Sequence, residues 1–98
     1  MDLNIEIIEI RGTCPVYQLG DRFTIKDGYK LNVPSGKFLC MHSLASLIPY
    51  YTALSRGISP EELGLAKKGD AFAYLQCLDP CDYTGGGTVV FKINLNNK

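Results

Sequence analysis

The sequence predicts an α+β domain, an antiparallel sheet of about five strands with a helical middle segment packed on one face. Both ends of the chain alternate apolar and polar residues with a period of two, whereas the middle, residues 40–66, carries apolar residues at spacings of three and four. Glycine, proline and aspartate punctuate the boundaries between these regions. No repeat, low-complexity run or linker divides the chain, so residues 1–98 read as a single domain.

The first strand spans residues 3–11. Ile5, Ile7, Ile8 and Ile10 are β-branched and are interrupted by Glu6 and Glu9. Their alternation slips between Ile7 and Ile8, which calls for a bulge or for a strand covered on both faces. Residues 22–26 form a short second strand with Phe23 and Ile25 on one face. Asp27-Gly28 turns the chain back into residues 29–33. Cys40, Leu44, Leu47, Ile48, Tyr51 and Leu54 then trace the apolar stripe of a helix. Pro49 removes one backbone bond and crowds the carbonyl of Ala45, so this segment is one kinked helix or two short ones meeting near Leu47 and Ile48. Gly57 ends it. Ser59 is placed to cap a further short helix, with Pro60 at its first position and Glu62 completing a capping box. Residues 70–78 and 88–95 return to strand alternation. The last strand sets Val89, Phe91, Ile93 and Leu95 against Val90, Lys92 and Asn94. The Asp-, Pro- and Gly-rich link from Asp79 to Gly87 reads as a hairpin loop.

Composition narrows the function classes. Lys plus Arg is 10 and Asp plus Glu is 10, which gives no net positive field for a general nucleic-acid binder. No membrane partner is expected, because no window approaches the ~18 consecutive apolar residues of a spanning helix. The first residues lack the basic start and unbroken apolar stretch of a signal peptide. The expected location is therefore the cytoplasm, where Cys14, Cys40, Cys77 and Cys81 remain thiols.

The cysteines carry most of the chemical interest. Four thiolates suffice for a tetrahedral zinc site or one iron–sulfur cluster. Metal knuckles usually present two close pairs, and here only Cys77 and Cys81 are close. The competing reading is that each is a small buried hydrophobe. Cys14 follows a strand, Cys40 opens a helix and Cys77 ends a strand, all positions where reactive groups stand on rigid supports. His42, the one histidine, points away from Cys40 on a helix and more simply is a solvated residue. Gly85-Gly86-Gly87 leads into a strand rather than a helix, so it reads as a flexible hairpin tip, not a phosphate cradle. Asp79 and Asp82 lack the spacing of a calcium loop, and the six tyrosines read as core rim and surface.

Cys14-Pro15, then Gly20-Asp21 and a short strand, then Cys40 opening a helix that contains Pro49-Tyr50, then Cys77-x-Asp79-Pro80 and a closing Val-Val-Phe-Lys-Ile strand follow one another in order. This order resembles a family of small uncharacterised prokaryotic proteins of about this length. The resemblance covers nearly the whole chain. It implies a stand-alone cytoplasmic domain with three recurring cysteines, here Cys14, Cys40 and Cys77, and no assigned activity; Cys81 falls outside the pattern. The family often has Gly-His where this chain has Tyr17-Gln18, and often proline where it has Met41.

The leading expectation is a binding module in which Cys14, Cys40 and Cys77 line one pocket for a metal or a small ligand, with zinc or an iron–sulfur cluster as the candidate cofactor. The alternatives are a thiol-dependent enzyme or accessory domain, and a structural or interaction domain.

Overall fold

The computed structural model describes residues 1–96. Its elements run β1 (Asp2–Gly12), β2 (Arg22–Lys26), β3 (Lys30–Asn32), α1 (Met41–Ser55), β4 (Ala73–Gln76), α2 (Cys81–Thr84) and β5 (Gly87–Asn96). The five strands form one antiparallel sheet in the order β3-β2-β1-β5-β4, with the 15-residue α1 against one face. The fold class read from the sequence is the one observed.

β1 and β5 are the two long strands and lie side by side in the middle. Leu3 pairs with Leu95, Ile5 with Ile93 and Ile7 with Phe91. Ile8 is then skipped, and the ladder resumes with Glu9 opposite Val90 and Ile10 opposite Val89. This is the bulge that the slip between Ile7 and Ile8 calls for. It leaves Ile8 exposed and returns Ile10 to the apolar face. Leu3, Ile5, Ile7, Phe91 and Ile93 are at most 1% exposed, and Leu47 and Leu54 of α1 close over them.

The β2–β3 hairpin turns at Asp27 and Gly28, both at positive φ (57° and 84°), and the Tyr29 N–H closes the turn on the Lys26 carbonyl at 3.2 Å. α1 is one helix rather than two. Ala45 and Pro49 are both exposed, so the carbonyl that Pro49 cannot bond is left on the solvent side.

Two expectations are corrected. Residues 59–66 are hydrogen-bonded turns, not a helix. Half of the capping box forms, with the Glu62 N–H donating to Ser59 Oγ at 3.2 Å, but the Glu62 carboxylate accepts from the Ser59 hydroxyl at 3.1 Å and not from the Ser59 N–H. Gly64, at φ 76°, then ends the turn before a helix can propagate. The link between β4 and β5 is not a flexible tip either. The Asp79 carboxylate accepts from the Thr84 hydroxyl and, at 3.3 Å, from the Gly87 N–H, while the Thr88 hydroxyl donates to the Asp79 carbonyl. Among the described residues no helix is long and apolar enough to cross a membrane.

Gly87 fixes where β5 begins. A Cβ there would lie 2.6 Å from the carbonyl carbon and oxygen of Thr13 and 2.8 Å from the Cys14 nitrogen. All three are backbone atoms, so no flexible side chain can yield. We expect Gly87→Ala to lower the stability by about 1–3 kcal/mol, the range of overpacking in a closed site, as read from the denaturation midpoint.

Candidate functional site

The four cysteines divide by burial: Cys77 belongs to the buried core, Cys14 and Cys40 pack against that same core, and Cys81 stands outside it. Cys77 follows β4 and is 7% exposed. Its N–H donates to the Val89 carbonyl at 2.9 Å, and its Sγ accepts the Val89 N–H at 3.3 Å while facing the Gly87 carbonyl at 3.5 Å. Cys81 opens α2, and its N–H donates to the Thr88 hydroxyl at 3.3 Å. Cys77 and Cys81 both belong to the lining of a cleft of about 560 Å³, together with Arg11, Gln76, Asp79, Asp82 and Thr88. The cleft lies at the end of the central ladder, where Gly12 pairs with Gly87.

Its walls differ in what they can offer a ligand. Asp79 is occupied by the hydrogen bonds that shape the β4–β5 link, so its carboxylate is structural. Arg11 donates to the Gln76 side-chain oxygen at 3.1 Å and lies 3.4 Å from a Glu9 oxygen. These contacts hold a guanidinium at the cleft's edge with several of its five donors in reach of solvent. The result is a polar cleft with one cation, one amide, two cysteines and two carboxylates, those of Asp79 and Asp82.

Cys14 and Cys40 do not line the cleft and instead contact Tyr17, although the Cys14 nitrogen also lies against Gly87, whose carbonyl Cys77 Sγ faces. The Tyr17 N–H donates to Cys14 Sγ at 3.3 Å. The Cys40 N–H donates to the Tyr17 hydroxyl at 3.0 Å, the Tyr17 and Ser43 hydroxyls are 2.7 Å apart, and Ser43 donates to the Cys40 carbonyl at 2.8 Å. Since the Ser43 proton is used on that carbonyl, Tyr17 is the donor to Ser43. The bonds close a ring that begins and ends on the peptide groups of Cys40. Cys40 is the N-cap of α1, and its thiol makes no cap hydrogen bond.

The expected trio shares the core rather than the lining of the cleft. Cys77 lines it, Cys14 and Cys40 do not, and Cys81, which the family pattern leaves out, does. Among the described residues no group of three or more His, Cys, Asp or Glu side chains is placed to hold a metal ion. His42 is exposed on the first turn of α1 and is not part of the cleft lining. Arg11 and Gln76 went unnoticed in the sequence because they meet only through the sheet, 65 positions apart. The one local signal was Cys77 and Cys81 flanking an Asp-Pro turn.

Burial pushes the Tyr17 phenol above its ordinary pKa of 10.0, with the Ser43 hydrogen bond pulling the other way. Tyr17 is therefore held neutral by the fold. The stability this gives is complete below the unfolded-state value and is lost as pH rises through the raised folded-state value. We expect Tyr17→Phe to cost about 1–3 kcal/mol at neutral pH, because it leaves the Cys40 N–H without its acceptor. The same variant should show a smaller fall of stability above about pH 10 than the parent, as measured by denaturation across the alkaline range.

Comparison of the chain with protein-family models, with curated proteins and with solved structures found no match.

Proposed function

We propose that this chain is a small cytoplasmic binding module that holds a small polar ligand, carrying a carboxylate, in the cleft beside Cys77 and Cys81. One observation carries the reading: the register of β1, β5 and β4 brings the Arg11 guanidinium and the Gln76 amide together, and the link after β4 adds Cys81 and the Asp82 carboxylate to the same cleft. Its volume of about 560 Å³ suits a small molecule. Arg11 supplies the planar fork that pairs with a carboxylate. Gln76, whose oxygen accepts from Arg11, supplies its N–H donors to orient the ligand, and the Cys81 thiol adds a soft, weakly polar group to the wall. The four free cysteines suit a reducing compartment. Thiol catalysis has less support, since the polar contact of the half-buried Cys81 thiol is to the Asp82 carboxylate at 3.9 Å and no imidazole lines the cleft.

Amide NMR with free amino acids and hydroxy acids as probes tests this reading. Shift changes should gather on residues 11–13 and 76–88 and should weaken in Arg11→Ala. A bound probe should also slow iodoacetamide labelling of Cys81, read by peptide mass mapping. Probes that perturb only other segments would sink the proposal.

A further inference from the structure

The other face of the sheet, which α1 does not cover, carries a second set of ordered polar groups. The strand register aligns Asn32, Thr24, Asn4 and Asn94 in one row across four strands. The next row aligns Arg22, Glu6, Lys92 and Tyr74. Directly paired residues of antiparallel strands share a face, and these rows alternate with the buried Leu3, Ile5 and Ile7 of the core face. A hollow of about 340 Å³ opens over them and is bordered by Phe72. A smaller one of about 170 Å³ adjoins it over Arg22 and Thr24, with Pro34 as its wall.

A face that only meets water does not require these residues. Asparagine is among the poorer strand formers, yet it fills three of the four positions in the first row. Each carboxamide offers both donors and an acceptor. The Thr24 hydroxyl donates to Asn4 Oδ1 at 3.1 Å, which fixes that amide and turns its nitrogen away from Thr24. In the second row one carboxylate stands between two cations. Arg22 Nη2 is 3.5 Å from Glu6, and Lys92 is the registered neighbour of Glu6 on the other side. The Lys92 ammonium lies 4.3 Å from the Phe72 ring centroid, so an aromatic ring borders the cationic row. Among the residues that line the hollow two cations thus face one carboxylate, while the Asp70 carboxylate stands beyond them beside Tyr74 at the end of the row.

The two rows are two residues apart along each strand, about 6.8 Å. An occupant that satisfies both has an anionic group at one end and a planar, hydrogen-bonding head at the other. We propose that this face binds a free nucleoside monophosphate, with its phosphate against Arg22 and Lys92 and its base over the asparagine row beside Phe72. The site is independent of the cysteine cleft.

Amide NMR titration of the full chain with AMP and UMP tests the proposal. Shifts should centre on Asn4, Glu6, Arg22, Thr24, Lys92 and Asn94, and leave residues 76–88 unmoved. Lys92→Ala and Asn94→Ala should each weaken binding by about 5-fold, the loss of one ion pair or hydrogen bond. Should either variant unfold, Arg22→Ala serves instead, because its side chain is 73% exposed. Three results would overturn the proposal: no response to millimolar nucleotide, inorganic phosphate producing the same shifts at the same concentration, or an oligoribonucleotide binding far more tightly than the monomers, which would make this a single-strand surface.

Discussion

The pairing of β1 with β5 is the constraint on which the rest of the structure depends. It joins the first and last elements of the described chain in the centre of the sheet, and every other strand is added to one of them. The bulge at Ile8 is essential to that pairing. Were Ile8 paired in regular alternation instead of skipped, Ile10 would turn to the helix-free face and Glu9 would turn into the core, because a one-residue slip inverts every side chain beyond it. With the bulge, Ile10 meets Val89 on the core side and Arg11 emerges opposite Thr88 on the other. The cysteine cleft exists because Arg11 emerges there and reaches Gln76.

The ring of hydrogen bonds through Tyr17 performs a different task. The loop after β1 and the start of α1 are joined by no strand pairing. Tyr17, 4% exposed, and Ser43, 2% exposed, connect them by satisfying both peptide groups of Cys40. Closing the ring lets each hydroxyl act at once as donor and acceptor, so no buried proton or lone pair is stranded and the bonds polarise one another. Seen this way, Cys40 matters here through its backbone. The Gly20-Asp21 pair is also explained by local structure. The Asp21 carboxylate accepts the Gln18 N–H at 2.9 Å and lies 3.3 Å from Lys37, while the Gly20 N–H bonds to the Ile7 carbonyl at 2.9 Å. These contacts tie the loop back to β1.

The fold was largely legible in the sequence because it rests on periodicity. The Ile5-Ile7-Ile8-Ile10 pattern contains the strand, its buried face and its bulge, and Val89 to Leu95 contains the partner. Residues 59–66 misled because capping chemistry is local, while propagation needs several further turns that Gly64 denies. The site was less legible for a related reason. Cys14, Cys40 and Cys77 share a kind of position, the end of an element, but sharing a kind of position does not make residues neighbours. Which ends meet is decided by the sheet order, and the order β3-β2-β1-β5-β4 sets Cys77 in the core with Cys14 and Cys40 packed against it, while Cys81 joins Cys77 only in the lining of the cleft.

Composition hid the helix-free face for the opposite reason. A net charge of zero is an average over the molecule, and association responds to the local field instead. The strand pattern did show Lys92 and Asn94 on one polar side of β5. Nothing in the sequence alone showed that Asn4, Asn32 and Thr24 would fall in line with Asn94, or Arg22 with Lys92, since a row across a sheet is defined by register. Once β1 is fixed between β2 and β5, that register follows from the same apolar pairs that build the core: Ile5 sits opposite both Phe23 and Ile93, and so Asn4 must sit opposite both Thr24 and Asn94. The order of the polar face is thus inherited from the buried one. Its rows stay aligned as long as the core stays packed, which gives an exposed surface the rigidity that a binding site needs.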